Sequence, residues 1–262
     1  MMSKKSLGLL LMIFSFACTS VFAQQKTEPY TLGETLTYEA KYSKAILRGV
    51  PAADLSFVVA RSANGQDFLI KSEAKSKGTL VKLFYKFNQN IQSTVDGTMF
   101  SIKRTVKRDE QGDRIRESEA LFDYRDRKVI YIETDPKDAA RAPRQVASPI
   151  EANTQDLVTG IYAIRRLPLA VGKTFELSVS DSGLVYKIPM RVTAREQQKS
   201  ILGKVWCFRV EPEVFGANRL IENKGSMILW ITDDARRLPV RSQINASIGR
   251  VEVRLKKLEI IK

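Results

Sequence analysis

Asp233 and Asp234 stand side by side in GSMILWITDDARRLPVRSQI (225–244), and their arrangement comes nearest to chemistry in this chain. Adjacent carboxyl groups can split their pKa values, so that one donates a proton while the other accepts one. Arg236 and Arg237 follow within reach of such a pair. On a strand, consecutive side chains point to opposite faces, so only a turn brings the two carboxylates together. The composition reads as a turn without any catalysis. Trp230 and Ile231 close one apolar run and Leu238-Pro239-Val240 open the next. Asp is favoured between such runs because its side chain bonds nearby backbone N–H groups. Asp123, Asp126 and Arg127 in FDYRDRKV repeat the arrangement and receive the same reading.

The chain contains no histidine, which removes Ser-His-Asp triads, Cys-His pairs and histidine zinc ligands. Cys207, in GKVWCFRV, sits among apolar residues without a base to activate it and reads as a buried, inert thiol. D-x-D-x-D-G calcium loops and the glycine-rich phosphate loops GxGxxG and GxxxxGK[ST] are also missing. The sequence therefore predicts no catalytic residues, no metal site and no cofactor. An enzyme built on it would have to use carboxylates, lysines, tyrosines or an oxygen-ligated metal.

The first residues, MMSKKSLGLLLMIFSFACTSVFAQQ, have a basic start at Lys4 and Lys5, an apolar run from Leu7 to Ala17, and the small-residue site Val21-Phe22-Ala23. This pattern predicts a secretory signal peptide over 1–23 cleaved after Ala23, and an exported, periplasmic chain over 24–262 with no transmembrane span. A minor alternative is a lipoprotein anchored through Cys18, although Ser15 stands where that cleavage box favours an aliphatic residue. Cleavage after Ala23 leaves Cys207 as the sole cysteine and excludes an internal disulfide.

Of the 43 basic residues, removal of Lys4 and Lys5 leaves 41 against 29 acidic ones, a net charge of +12. In an exported protein the anionic partners to expect are lipid headgroups or other envelope components, and not nucleic acid. The charges are spread along the chain without a dense cluster, which also fits plain solvent-facing strand positions.

Most of the chain alternates apolar and polar residues with period two. LGETLTYEAKY, ADLSFVVAR, DFLIKSEAKS, MFSIKRTVKR and RIRESEALFDY are examples, punctuated by Asn64-Gly65, Asp96-Gly97 and Gln111-Gly112-Asp113. These are strands joined by hairpins, an antiparallel meander. GTLVKLFYKF (78–87) fits one short helical turn or a continuing strand. A main helix is expected at about 153–166, capped by Asn153-Thr154, with Leu157, Val158, Ile161, Tyr162 and Ile164 as its apolar stripe and Pro168 ending it. The three-proline stretch at about 135–150 reads as a loop. In the last strand the buried phase jumps from Leu255 to Leu258, which predicts a bulge at Lys256-Lys257. The aromatics Phe84, Tyr85, Phe87, Phe100, Phe122, Tyr124, Tyr131, Tyr162, Tyr186, Trp206, Phe208, Phe215 and Trp230 either line a cavity in the sheet or form ordinary core.

Four blocks carry a family resemblance: LGETLTYEAKYSKAILRGVPAADLSF, SEALFDYRDRKV, TQDLVTGIYAIRRLPLAVGKTFELSVSDSGLVYKIPMRV and MILWITDDARRLPVRSQINASIGRVEVRL. Together, from about Leu32 to Leu255, they resemble exported bacterial proteins of the domain of unknown function 3108. The resemblance implies an envelope-associated protein on a large curved antiparallel sheet and brings no catalytic residue set. The expected fold is mainly β: a single domain built as a large curved sheet or partly open barrel with one main helix. The expected function is non-enzymatic binding of a hydrophobic or lipid-like ligand. The alternatives are a structural or protein-interaction module and, less favoured, a carboxylate-dependent hydrolase.

Overall fold

The structure is a computed structural model, and it describes residues 28, 30–78 and 86–261. The signal segment with Ala23 and Cys18, and residues 79–85 of GTLVKLFYKF with Phe84 and Tyr85, lie outside these residues.

Alternation in the sequence becomes strand after strand. The first half of the chain forms β1 (Glu34–Lys44), β2 (Leu47–Arg61), β3 (Phe68–Ser76), β4 (Phe87–Val95), β5 (Ile102–Gln111), β6 (Arg114–Asp123), β7 (Lys128–Thr134) and β8 (Arg144–Pro149). A two-residue strand β9 (Gln155–Asp156) leads into the helix α1 (Leu157–Arg165). The second half forms β10 (Thr174–Asp181), β11 (Leu184–Ser200), β12 (Gly203–Pro212), β13 (Gly225–Thr232), β14 (Pro239–Ala246) and β15 (Gly249–Ile260). In β1 the pattern is plain: Leu36, Tyr38 and Ala40 are buried while Thr35, Thr37 and Glu39 are not.

Among the described residues fifteen strands form one sheet, in the order β8-β7-β6-β5-β4-β3-β2-β1-β15-β14-β13-β12-β11-β10-β9. Each half is a meander, and the halves are joined where β1 pairs antiparallel with β15. The two edge strands are therefore far apart in the sheet but close in the chain. Fifteen flat strands would span roughly 70 Å at the usual spacing. Pro149 and Gln155 are only six residues apart, a reach of at most about 20 Å. The sheet must curl to bring its edges together, and it remains open, since β8 bonds only β7 and β9 only β10.

The seam between the edges is marked by the β10–β11 turn, Ser182-Gly183, where both residues have positive φ (51° and 84°). A Cβ on Gly183 would lie 2.7 Å from the Cβ atoms of Tyr131 in β7 and Val146 in β8, so the turn packs flush against the opposite edge. At Asp96-Gly97 the glycine serves a different need. A Cβ on Gly97 would lie 2.2 Å from the carbonyl oxygen of Gln66, so the β4–β5 connection crosses the neighbouring hairpin at backbone contact.

The expected bulge is present: Thr37 pairs with Lys257 and Tyr38 with Leu255, leaving Lys256 unpaired between them. Two boundaries differ from the sequence reading. The stretch taken as loop at 135–150 ends in β8, an edge strand whose Pro149 costs no ladder bond because only one side is paired. The helix starts at Leu157, later than the expected 153, because Asp156 caps it in place of Asn153-Thr154.

Candidate functional site

The helix lies inside the curl, and its first turn shows why. Asp156 is extended (φ −94°, ψ −177°), and its Oδ1 accepts the backbone N–H groups of Val158 (2.9 Å) and Thr159 (2.7 Å). Thr159 Oγ1 in turn accepts the Asp156 N–H at 3.0 Å, completing a reciprocal cap. The second carboxylate oxygen accepts hydroxyl protons from Ser93 in β4 (2.5 Å) and Thr105 in β5 (2.6 Å). A buried carboxylate is tolerated here because each oxygen has donors. At the other end Arg165 is fully buried. It pairs with Glu34 and donates to the carbonyl of Arg236 from Nε (3.2 Å) and Nη2 (3.1 Å). The helix is thus pinned to the first half of the sheet at its N-terminus and to the central seam at its C-terminus.

The two faces of α1 meet different surroundings. Val158 and Tyr162 pack into a closed cluster with Tyr30, Val59, Ile70, Val95 and Phe100. Leu157, Gly160, Ile161 and Ile164, at helical spacing on the opposite side, face the second half of the sheet across a cavity of about 330 Å³. Its far wall carries Leu177, Ile188, Met190, Leu229, Ile231 and Ile244 from β10, β11, β13 and β14, and Tyr38, Phe57 and Val253 close the flank. The volume falls in the range of small-ligand pockets. Arg241 is the one charged residue on the lining, and its guanidinium is engaged by Glu252 at 2.7 Å and stacked 4.4 Å over Trp230. Ser242 Oγ, also on the wall, is buried with no hydrogen-bond partner among the described residues. Leu157 and Ile221 keep 39% and 36% of their surface exposed, so the cavity opens at the end of the sheet where they lie.

The residues that suggested chemistry are placed in turns. Asp233 and Asp234 form the β13–β14 connection and face different partners: Asp233 bonds Arg195 (2.7 Å) and Arg237 (3.3 Å). Asp234 Oδ1 accepts Thr232 Oγ1 (2.8 Å) and the backbone N–H groups of Arg236 and Arg237. Burial opposes its charge, but the hydrogen bonds from Thr232 and Arg236 outweigh that and hold its pKa below the ordinary carboxylate range. Asp234 is therefore held in its charged form, and the two carboxylates are engaged by different partners and do not form an acid pair. Asp123 likewise accepts the Asp126 N–H within the β6–β7 turn. Cys207 is buried, and burial, with the charges of Asp234, Glu196 and Asp233, pushes its thiol up to about 12.

The sequence profile of the family described as Protein of unknown function (DUF3108) matches residues 37–256. The chain belongs to this family. Among solved structures, this DUF3108 chain is similar to a beta-barrel-like protein of domain of unknown function DUF1849 from Brucella abortus. That match has 10% identity and a TM-score of 0.60, covering 88% of this chain and 98% of the other. It shows the fold. Weaker likenesses are to a candidate exported protein with a YmcC-like fold from Bacteroides fragilis (11% identity, 88% and 97% covered, TM-score 0.37) and a candidate lipoprotein from Parabacteroides distasonis (9% identity, 87% and 96% covered, TM-score 0.31). No curated protein sequence matches the chain. No helix among the described residues is long and apolar enough to cross a membrane.

Among the described residues, the aromatics singled out in this DUF3108 sequence do not line the cavity beside α1. Phe100 and Tyr162 belong to the closed cluster and Phe122 to another with Val129 and Ile150. Phe208 lies in the core below the cavity, with Tyr186 and Phe215 packed against it. Trp230 is buried beneath Arg241, and Trp206 is half exposed beneath Arg195. Tyr131 bonds Glu133, the Tyr124 hydroxyl donates to the Thr154 carbonyl, and Phe87 is half buried at the start of β4. The cavity wall is aliphatic, and its two aromatics, Tyr38 and Phe57, came from strands whose alternation gave them the same weight as any core residue.

Proposed function

We propose that this chain is an exported, non-enzymatic envelope protein that holds an amphipathic, lipid-like ligand between α1 and strands β10–β15. The supporting observation is the cavity itself: about 330 Å³ walled by aliphatic side chains, with one buried hydroxyl, Ser242, left without a partner. A well-packed interior leaves few voids larger than a water molecule, so a space of this size is not a packing accident. An apolar wall favours hydrocarbon, and an unpaired hydroxyl favours a ligand that brings one polar atom, such as an ester or carboxyl oxygen. The engagement of Asp233 and Asp234 by separate partners within a turn supports the non-enzymatic reading over the hydrolase.

The test is extraction of natively purified protein with organic solvent and mass spectrometry of the extract, beside titration of the stripped protein with a fluorescent fatty acid. A stoichiometric lipid or saturable binding is expected. A protein that is empty as purified and binds no acyl chain overturns the reading. Export rests on the 1–23 signal, and intact mass of the processed chain should begin at Gln24. A diacylated Cys18 would replace free periplasmic localisation with lipid anchoring.

A further inference from the structure

The end of the curled sheet at which the cavity opens carries two hairpin tips that the fold does not explain. β1 turns into β2 through Ala45-Ile46, and β14 turns into β15 through Ser247-Ile248. Two-residue hairpin turns favour Asn, Asp and Gly, which accept the required backbone angles and stay solvated. Here both turns place a β-branched isoleucine second, with 94% of Ile46 and 67% of Ile248 exposed.

The tips are neighbours. Ser43 pairs with Arg250 across the central seam, and the Tyr42 hydroxyl donates to the carbonyl of Ile248. Gly225, which starts β13, pairs with Ala246 beside the same tip, and this puts the 217–224 connection with Ile221 at that end as well. Around the tips Lys44, Arg48, Lys224 and Arg250 are exposed, and none has a carboxylate partner among the described residues. Basic residues further along the same strands are paired: Lys41 with Glu39, and Arg254 with Glu252. Glu222 is the one acidic residue in 217–226. Unpaired positive charge is therefore gathered where bulky apolar side chains are held out into solvent.

We propose that this end of the molecule docks onto a bilayer surface bearing anionic phospholipid headgroups. Ile46 and Ile248 enter the acyl boundary while Lys44, Arg48, Lys224 and Arg250 lie among the headgroups. Apolar side chains below a ring of basic ones are the combination that interfacial binding uses, each term alone being marginal. Two isolated tips offer a protein partner far less than the ~800 Å² per side of a standard interface. The inference rests on the cavity reading for its purpose, since it sets the mouth of the cavity against a source of acyl chains, but it is tested independently of cavity occupancy.

The experiment is flotation of the processed chain with phosphatidylcholine vesicles, with and without phosphatidylglycerol. Binding to the anionic vesicles is expected, weakening with salt and falling about tenfold or more in the double variant Ile46→Ser, Ile248→Ser. Ile201→Ser removes a half-exposed isoleucine (47%) from the β11–β12 hairpin at the other end and should leave binding unchanged. All three substitutions are in exposed turns, and matching thermal unfolding curves will show that the fold is intact. The proposal is overturned if the wild type does not float with anionic vesicles, if the double variant floats as well, or if Ile201→Ser loses binding equally. Self-association that disappears in the double variant, without vesicle binding, would assign the tips to a second copy of the chain and also overturn it. Acyl-chain binding that persists in a non-floating double variant separates failure of docking from failure of the cavity reading.

Discussion

Arg165, in the last turn of α1, and Glu34, the first residue of β1, form a buried two-pronged ion pair with Nη1–Oε1 at 2.6 Å and Nη2–Oε2 at 2.9 Å. The same guanidinium donates to the backbone of Arg236 in the Asp233-Asp234 turn and lies 5.2 Å from the Tyr162 ring centroid. One side chain thus fastens the interior helix, the opening strand and a late hairpin at a single point. Arg165→Ala should lower unfolding free energy in urea by about 3–5 kcal/mol, because it strands the Glu34 carboxylate in the interior. Replacing Glu34 with Leu in an Arg165→Leu background should recover part of that loss. A double-variant loss equal to the sum of the two single losses would show that the pair is not coupled.

Gly183→Ala probes the curl. The new Cβ would meet Tyr131 and Val146 at 2.7 Å in a backbone with φ +84°, so a loss well above the ~1 kcal/mol usual for a strained glycine site is expected. Gly112→Ala, at a positive-φ hairpin turn with open space around it, provides the comparison. If both variants melt alike, the β10–β11 turn does not pack against the opposite edge in solution.

Ile161→Phe and Ser242→Ala probe the cavity. Extra carbons in a filled core cost about 1–3 kcal/mol, whereas in ligand-free protein Ile161→Phe should be neutral or stabilising because the space is vacant. The same variant should weaken acyl-chain binding. Ser242→Ala should weaken it by up to about tenfold, the value of one hydrogen bond, for ligands with a polar head and not for plain hydrocarbon. Calorimetric unfolding and fluorescence titration measure the two effects, and strong destabilisation by Ile161→Phe would mean that no void exists.

Asp234 sets a pH dependence with a definite sign. Its pKa in the folded chain is below the ordinary value, so its contribution is complete above the unfolded pKa of about 3.9 and is lost as pH falls through the lower folded value. Asp234→Asn retains a side-chain oxygen for the turn but cannot titrate. Its stability should therefore fall less steeply than wild type as pH drops below about 4, as read from urea midpoints across the acid range. Parallel curves would remove Asp234 from the acid-labile set.

Period-two alternation makes the strands legible in the sequence, because one face of each is buried, as Leu36, Tyr38 and Ala40 show. The Lys256 bulge was legible for the same reason, since a break in phase has few other causes. The start of α1 was not. Asn153-Thr154 and Asp156 all have the chemistry of a cap, and the choice of Asp156 depends on Ser93 and Thr105, more than fifty residues away. β8 was hidden because an edge strand with alternating exposure and flanking prolines carries no apolar period. Arg165 sits in the last turn of a helix, where a positive charge needs no partner to be favourable, and only the fold reveals the buried Glu34 that receives it. The cavity was least legible of all. A void is a property of spacing between elements, and Ile161 facing space has the same letter as an isoleucine facing a neighbour.

The pairing of β1 with β15 joins the two meanders at the middle of the fifteen-stranded sheet. Each meander can zip locally, but neither can gain its central neighbour until β15 has emerged. Most of the sequence must therefore wait with two strand edges unpaired, in the state where β proteins fold slowly and aggregate most readily. Deletion of β15 should consequently open the sheet at its centre rather than trim its rim, which makes that strand the clasp on which completion of the sheet depends.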